Sequence, residues 1–362
     1  MVDYHLRGVL LPDEVERDVW IRDGRLTFEP VPDVETIALG GWVLPGFVDA
    51  HCHVGLSPAG FVADAAGQAD QAVRSRDAGA LVLRDAGSPV DNRSVRDRPD
   101  LPRLIRAGRH IARPYHYIRH LGVEVEPRDL VAEVEKQAAI GDGWVKLVAD
   151  WIDRSIGDLA PLWPDDVLAR AISRAHELGA RVAAHVFGED ALSGLIDAGL
   201  DSIEHGTGLT GDLLDDVSRK GIAVVPTLIN IDTFGDIAAS AAAKYPTYAA
   251  HMRALRNTSR ERIRCAWEAG VPIYTGTDAG GSLAHGLIRQ EITELVRAGV
   301  PQAEVIAQAS WRGRRWLGLG ALDQGAEADL VVYDTDPRTD LSALYAPRRI
   351  VLRGRVVGGR SG

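Results

Sequence analysis

Residues 47–54 read FVDAHCHV, a short apolar segment that ends in two histidines one residue apart. On a β-strand, the side chains at positions i and i+2 point to the same side. His51 and His53 therefore project together, whereas Cys52 points the other way into the packing. The stretch predicts a buried strand with two imidazole groups at its carboxyl end.

Short apolar strands alternate with amphipathic helices throughout residues 45–319. Residues 164–179 illustrate the helices, because Pro164 stands near the start and Gly179 follows the end. Strands that alternate with helices indicate βαβ units and a parallel sheet. Eight such units fit a (β/α)8 TIM barrel of the α/β class, and a doubly wound open sheet is the alternative. The predicted strands are 47–54, 80–87, 102–108, 144–150, 181–186, 202–206, 222–228 and 272–280.

The two chain ends are β-rich and lack this helical periodicity. Residues 17–28 alternate around Asp23-Gly24, and Asp-Gly between alternating apolar residues is the strongest short-range hairpin signal. Residues 328–336 and 348–359 show the same alternation. Both ends are therefore expected to form β-structure.

These patterns predict a barrel domain at residues 45–319, between β-rich chain ends at residues 1–44 and 320–362. The longer connection at 229–260 follows the seventh strand. It is either a lid over the face where the strands end or an extra packed helix.

The composition is that of a globular protein. Apolar residues make up 46% and charged residues 25% of the chain, which excludes disordered, fibrous and coiled-coil proteins. The net charge of −10 argues against nucleic acid or an anionic membrane as a partner. Two cysteines cannot build a disulfide framework. We find neither a secretory signal nor a membrane-spanning apolar run in the sequence, so we expect a cytoplasmic protein.

Imidazole and carboxylate groups stand at the ends of four predicted strands. In a barrel, the carboxyl ends of all strands meet at one face, where active sites lie. A single histidine there is as often a packed core residue as a ligand. Several together, with a carboxylate, indicate a metal site. The candidate ligands are His51, His53, His185, His205 and Asp278.

Lys146 lies inside the apolar strand 144–150 and is one of only four lysines among 41 basic residues. A buried ammonium needs a partner, and it has no lone pair with which to bind a metal. One solution is an ion pair with Asp150 or Asp278. The other is a lowered pKa, which lets the free amine react with carbon dioxide and form a carbamate with two oxygens. We favour the carbamate, because an arginine could not form it.

Taken in order, the motifs resemble the amidohydrolase superfamily over essentially the whole chain. The resemblance implies a distorted (β/α)8 barrel with a binuclear metal centre and a small β-sandwich domain formed by both chain termini. The matching stretches are GWVLPGFVDAHCHVG (41–55), WVKLVAD (144–150), AAHVFG (183–188), SIEHG (202–206), TGTDAGG (275–281) and GALDQGAEADLVVYDTDP (320–337).

The same resemblance implies how two divalent metal ions, with zinc as the expected metal, would be held. His51, His53 and Asp278 would hold the more buried ion. His185 and His205 would hold the more exposed ion. Carbamylated Lys146 and a hydroxide would bridge them. The hydroxide would attack a carbonyl carbon while Asp278, as the catalytic base and then acid, passes its proton to the leaving nitrogen.

Two further motifs, LRDAG (83–87) and IEHGTG (203–208), resemble the imidazolonepropionase and prolidase-like branch. Lys146 is similar to the bridging lysine of its binuclear, peptidase-like members. The resemblance thus implies an amidohydrolase whose small-molecule substrate is an N-acyl amino acid, a dipeptide or a related carboxamide. The alternatives, in decreasing order, are hydrolysis of a cyclic amide, carbamate, urea or lactone, a one-metal deaminase, and a noncatalytic scaffold. Relatives are commonly oligomeric, so a homo-oligomer is compatible with the resemblance.

Substrate-binding candidates come from PYHYIRHLG (114–122), which follows the third strand. By position, His120 resembles a histidine near the substrate carbonyl in related enzymes, which would give it a catalytic role. Arg119 could hold a substrate carboxylate through its planar guanidinium. Tyr117 and Arg119 are equally consistent with side chains that cover apolar surface. His285, after the eighth strand, stands where relatives contact substrate. Surface or structural positions are expected for His5, His110, His116, His176 and His251.

Overall fold

The computed structural model describes residues 2–57 and 62–360, which form a mixed α/β fold. The strands are β1 (Tyr4–Leu10), β2 (Val15–Arg22), β3 (Arg25–Thr27), β4 (Glu35–Pro45), β5 (Phe47–Cys52), β6 (Ala80–Asp85), β7 (Arg103–Arg106), β8 (Ile111–Ala112), β9 (Val123–Glu124), β10 (Trp144–Val148), β11 (Asp150–Asp153), β12 (Asp158–Pro161), β13 (Arg181–Val186), β14 (Ser202–His205), β15 (Ala223–Val225), β16 (Leu330–Tyr333), β17 (Arg349–Leu352) and β18 (Arg355–Gly358). The α-helices are α1 (Ala65–Asp77), α2 (Arg93–Arg96), α3 (Leu130–Ile140), α4 (Asp165–Glu177), α5 (Leu192–Asp197), α6 (Gly211–Lys220), α7 (Leu228–Ile231), α8 (Phe234–Ala241), α9 (Pro246–Glu268), α10 (Ile288–Arg297), α11 (Gln302–Ala307) and α12 (Gly313–Trp316). Within these described ranges, we find no helix with the length and apolar character needed to cross a bilayer.

Strands from both chain ends share one seven-stranded sheet, in the order β18-β17-β16-β4-β1-β2-β3. The hairpin between β2 and β3 turns at the predicted Asp-Gly pair, where φ is 52° at Asp23 and 78° at Gly24. Positive φ at both central residues is what a two-residue hairpin turn requires. In the described part of the chain, the termini form this single continuous sheet, so the predicted sandwich is visible only in part.

The middle of the chain forms two parallel sheets, as the strand–helix alternation predicts. The larger has the order β15-β14-β13-β10-β8-β9, and the smaller has the order β5-β6-β7. Neighbouring strands within each sheet run parallel. Helices α1 and α3 to α6 lie between successive strands along the chain, which confirms the α/β class with parallel sheets.

The predicted strand 272–280 is not a regular strand. Among the described residues it makes three isolated parallel bridges, one to β15, one to β5 and one from Ala279 to Leu283. Asp278 has φ 56°, so the extended ladder cannot continue through it. Gly276 lies so close to β5 that a Cβ there would come within 2.7 Å of the His51 Cβ. The segment therefore lies between the edge strands of the two parallel sheets.

Residues 229–260 form packed helices, in agreement with the second of the two interpretations of this connection. Helices α7, α8 and the first half of α9 pack around an apolar cluster that includes Phe187, Phe234, Tyr248 and Met252. Helices α7 and α8 also border the cavity at the carboxyl ends of the parallel strands.

The terminal sheet and the parallel strands share one apolar core. The rings of Phe47 in β5 and Tyr333 in β16 lie 6.5 Å apart, and both side chains are fully buried. Leu44, near the end of β4, belongs to the same cluster. This packing holds the end of β4, and hence the start of β5, against the body of the protein.

We expect Leu44→Ala to lower the free energy of unfolding by about 2–5 kcal/mol, because it leaves a cavity in this core. The matched control is Leu39→Ala on the same strand, where the side chain is 65% exposed. That change should alter stability by no more than about 0.5 kcal/mol. Urea unfolding of both variants measures the difference, and equal losses would contradict the packing described here.

Candidate active site

The six residues predicted as metal ligands line one cavity of about 480 Å³. His51 lies in β5 and His53 directly follows that strand. Lys146 and His185 lie in β10 and β13. His205 ends β14, and Asp278 lies in the segment between the two sheets. Because the carboxyl ends of parallel strands meet at one edge, residues distant in sequence converge here.

The histidine pair and Asp278 form a compact group. The Nε2 atoms of His51 and His53 lie 3.3 Å apart, and they lie 3.2 and 2.9 Å from Asp278 Oδ1. The ligand atoms of the three residues all lie within 4.8 Å of one another. His53 donates its Nδ1 proton to the Gly87 carbonyl at 2.7 Å, which turns Nε2 toward the cavity. This is how metal-ligating histidines are normally oriented.

Burial raises the pKa of Asp278, but the neighbouring His51, His53 and His205 outweigh it and hold this pKa well below its usual range. Asp278 is therefore an anion in the site. Its second oxygen, Oδ2, accepts a hydrogen bond from Asn230 Nδ2 at 2.7 Å.

His185 and His205 form the second part of the site, with ring centroids 4.8 Å apart. The Nδ1 of His205 lies 2.7 Å from the Thr227 hydroxyl. His185 Nε2 is buried and has no hydrogen-bond partner among the described residues. Burial lowers the pKa of both histidines well below the usual value, so each offers a neutral imidazole.

Lys146 is 1% exposed, and its Nζ has no hydrogen-bond partner within the described ranges. Neither ion-pair partner considered from the sequence is in contact with it. Asp150 instead accepts from the backbone amides of Phe187 and Gly188, at 3.0 and 2.6 Å. Burial lowers the pKa of Lys146 to about 8, which leaves about a tenth of the amine in the neutral form at pH 7.

A buried ion pair beneath the histidine pair was missed by the sequence analysis. Glu204 Oε2 lies 2.6 Å from His51 Nδ1, and Arg84 Nη2 donates to Glu204 Oε1 at 2.6 Å. All three side chains are at most 1% exposed. Burial raises the pKa of Glu204, but Arg84, Lys146 and His51 hold it well below its usual range. The signal was present, because both charged residues lie in the apolar strand motifs LRDAG and IEHG.

His110 was expected outside the site, and that expectation is wrong. The residue is fully buried, lines the cavity, and its ring centroid lies 4.9 Å from that of His53. Neither ring nitrogen has a hydrogen-bond partner among the described residues. Tyr117 lines the cavity as predicted, and its ring lies 5.3 Å from His110 and 4.9 Å from Trp151.

The structure does not bring the other substrate-binding candidates to this cavity. Arg119 and His120 are exposed in the turn after β8, and neither lines the cavity. The chain reverses at His120, where φ is 68°, so the segment returns to β9 and directs these positions outward. His285 is 6% exposed and is not among the lining residues of the cavity, with Nδ1 3.4 Å from the Ser75 hydroxyl.

We expect Glu204→Ala to cost about 3–5 kcal/mol of stability, because Arg84 would stay buried without its counter-charge. The control is Glu16→Ala. It removes an exposed ion pair with Arg7, 3.2 Å long, and should cost at most about 1 kcal/mol. Chemical unfolding compares the two variants. A Glu204 variant as stable as the control would show that the buried pair does not hold the strands.

Residues 158–357 match the amidohydrolase family, a stretch that contains His185, His205 and Asp278. An uncharacterized protein of Mycobacterium tuberculosis (strain ATCC 25618 / H37Rv) is 55% identical over 362 residues, which cover 99% of this chain and 96% of that protein. Among solved structures, a Xaa-Pro dipeptidase with methionine bound in its active site superimposes with a TM-score of 0.82 at 22% identity, covering 99% of this chain and 100% of the other. The ochratoxinase of Aspergillus niger superimposes with a TM-score of 0.80 at 18% identity, covering 99% and 96%.

Proposed function

The chain belongs to the amidohydrolase family, and from that premise we propose that it hydrolyses the carbon–nitrogen bond of a small amide. The observation that carries this proposal is the convergence of four histidines, Lys146 and Asp278 on one cavity. The fold it shares with a dipeptidase and an ochratoxinase is consistent with that chemistry.

The proposal includes the architecture around the cavity. We take the two parallel sheets and the segment 273–279 as one distorted (β/α)8 barrel. In support, Ala50 N donates to the Thr275 carbonyl at 2.8 Å, and Tyr274 N donates to the Val224 carbonyl at 2.9 Å. We take residues 1–44 and 320–362, which supply the seven-stranded sheet, as the small second domain.

The residues present fit a centre of two divalent metal ions, with zinc as the expected metal. His51, His53 and Asp278 would hold one ion, because their donor atoms already face one another. His185 and His205 would hold the second, and the buried, unpartnered Nε2 of His185 supports this. The neutral imidazoles of His185 and His205 and the ionised carboxylate of Asp278 are in the donor states that such ions require.

Lys146 would supply the group shared by the two ions. Its free amine would add to carbon dioxide, forming an N–C bond and releasing one proton, and the product is a carbamate anion. The supporting observation is a buried Nζ that shares the cavity with four histidines and has no counter-ion in contact among the described residues. Desolvation that lowers the pKa of this amine also favours the reactive neutral form.

When bound, the metal ions would lower the pKa of water and polarise the substrate carbonyl. Asp278 would accept the proton of the attacking water and deliver it to the leaving nitrogen. Asn230 would fix the orientation of the Asp278 carboxylate, because its amide already donates to Oδ2 at 2.7 Å. His110 would donate a hydrogen bond to the oxygen of the scissile carbonyl. Burial lowers its pKa well below the usual value, so it is a neutral donor.

Lys146→Ala tests the metal centre directly. Elemental analysis of the wild-type protein, purified without chelator and with bicarbonate, should give about two ions per chain. The variant should lose metal and at least about 10³-fold in kcat/KM, and formate or acetate should restore part of both. Lys136→Ala, at a side chain 67% exposed, is the control. Full activity in Lys146→Ala would exclude the carbamate.

A second test separates His110 from His120. His110→Ala should reduce kcat/KM by about 10²–10³-fold with metal content retained, because it removes a donor to the developing oxyanion. His120→Ala should stay within about twofold of wild type, because the side chain is exposed outside the cavity. The reverse order would restore the role that the sequence predicted for His120.

A further inference from the structure

The side chains that line the cavity supply little positive charge. Among its described lining residues, Lys146 is the only lysine or arginine, and it lies at the level of the candidate metal ligands. Arg119, which could have held a substrate carboxylate, is exposed and does not line the cavity. Residues 58–61 read Pro-Ala-Gly-Phe, so their composition adds no cation.

On the side of the cavity formed by α7 and α8, hydrogen-bond acceptors lie beside the apolar side chain of Ile237. Asn230 donates an amide hydrogen bond to Asp278. Among the described residues, its Oδ1 accepts only long hydrogen bonds, from the hydroxyls of Thr233 at 3.5 Å and Ser282 at 3.4 Å. All of these residues line the cavity, as does Asp236 in the first turn of α8. This side therefore favours a group that donates hydrogen bonds.

Asp236 also favours a ligand group that donates hydrogen bonds, because its carboxylate forms no ion pair with any described residue. Asp232, one turn earlier, differs in this respect. It accepts from Arg260 Nη2 at 2.8 Å and is also within 3.7 Å of Arg256. The charge of Asp232 is thus balanced within the protein, whereas Asp236 is an exposed lining residue whose carboxylate has no ion-pair partner among the described residues.

Another part of the lining is apolar and aromatic. Tyr117 and Trp151 meet edge to face with ring centroids 4.9 Å apart. Leu121 also lines the cavity, as does Phe187, whose ring lies 4.6 Å from that of Phe234 in α8. Ile118, also in the lining, is 50% exposed, so the apolar wall reaches the mouth of the cavity. Aromatic and aliphatic walls of this kind take up an apolar group of comparable size.

Building on the proposed amide hydrolysis, we propose a substrate class for this site. One side of the scissile amide carries an aromatic or branched apolar group, and the other ends in a hydrogen-bond donor, an uncharged amide or an ammonium, rather than in a free carboxylate. A carboxylate on the α8 side would lose water without gaining a counter-charge. It would also be repelled by Asp236.

The test uses three ligands that share a phenylmethanesulfonyl group, in which a sulfonamide replaces the scissile amide. They are the sulfonamides of glycine, glycinamide and ethylenediamine, which end in a carboxylate, a neutral amide and an ammonium. Calorimetry with the full-length, metal-loaded wild-type protein gives the three dissociation constants. We expect the carboxylate ligand to bind at least about tenfold more weakly than the other two. Equal or tighter binding of the carboxylate, or no binding of any ligand, would overturn the inference.

Charge reversal at one position provides the second arm. Asp236→Lys should bring the glycine ligand ahead of the ethylenediamine ligand, because it replaces the unpaired anion with a cation. The matched control is Asp215→Lys, an equal charge change at an exposed position of α6 outside the cavity, which should keep the wild-type order. An unchanged order in Asp236→Lys counts against the inference.

Turnover of the corresponding phenylacetyl amides separates this inference from the proposed function. If none of the three is hydrolysed while the sulfonamides keep the expected order, amide hydrolysis fails and the assignment of the cavity stands. If the glycine amide is hydrolysed fastest, amide hydrolysis stands and the assignment of the cavity fails.

Discussion

The buried ion pair between Arg84 and Glu204 connects the two parallel sheets beneath the site. Arg84 also donates from Nε to the Ala50 carbonyl at 2.6 Å, and its guanidinium lies 4.5 Å above the ring of Trp144. Four strands, β5, β6, β10 and β14, thus meet around one charge. Since an unpaired charge here would be costly, the pairing constrains the relative positions of these strands. The other carboxylate oxygen of Glu204, Oε2, contacts Nδ1 of His51 and fixes the orientation of its ring. The ion pair that joins the sheets therefore also positions a candidate metal ligand.

The strand ends above this pair carry local backbone strain. His205, Thr227 and Asp278 have φ values of 68°, 50° and 56°, in the left-handed region that non-glycine residues seldom adopt. His205 and Thr227 lie at or just after the ends of β14 and β15, and Asp278 lies near the end of the segment 273–279. A hydrogen bond joins His205 and Thr227. Such conformations persist where the surrounding packing imposes them. They change the direction of the side chain relative to its direction in a regular strand.

Several site residues could be predicted from the sequence because they lie in regular elements. The alternation of side chains along a strand placed His51 and His53 on one side, and the position of His185 and His205 at strand ends brought them to the same face. His110 and His120 show where this reasoning stops. Both follow the third predicted strand, but the structure divides that region into β7 and β8 and reverses the chain at His120. Loop geometry of this kind depends on contacts made after folding, and sequence spacing does not encode it.

By itself, the sequence determined the alternation of strands and helices, the β-hairpin at Asp23-Gly24, and the set of imidazole and carboxylate groups at the strand ends, because these depend on local periodicity. Only the tertiary structure decided which charges are paired. It separates Lys146 from both carboxylates considered as partners, pairs Glu204 with Arg84, and leaves Asp236 at the cavity without an ion-pair partner in the described part of the chain. Pairing and desolvation depend on the distances between residues that are remote in sequence, and those distances exist only once the chain has folded.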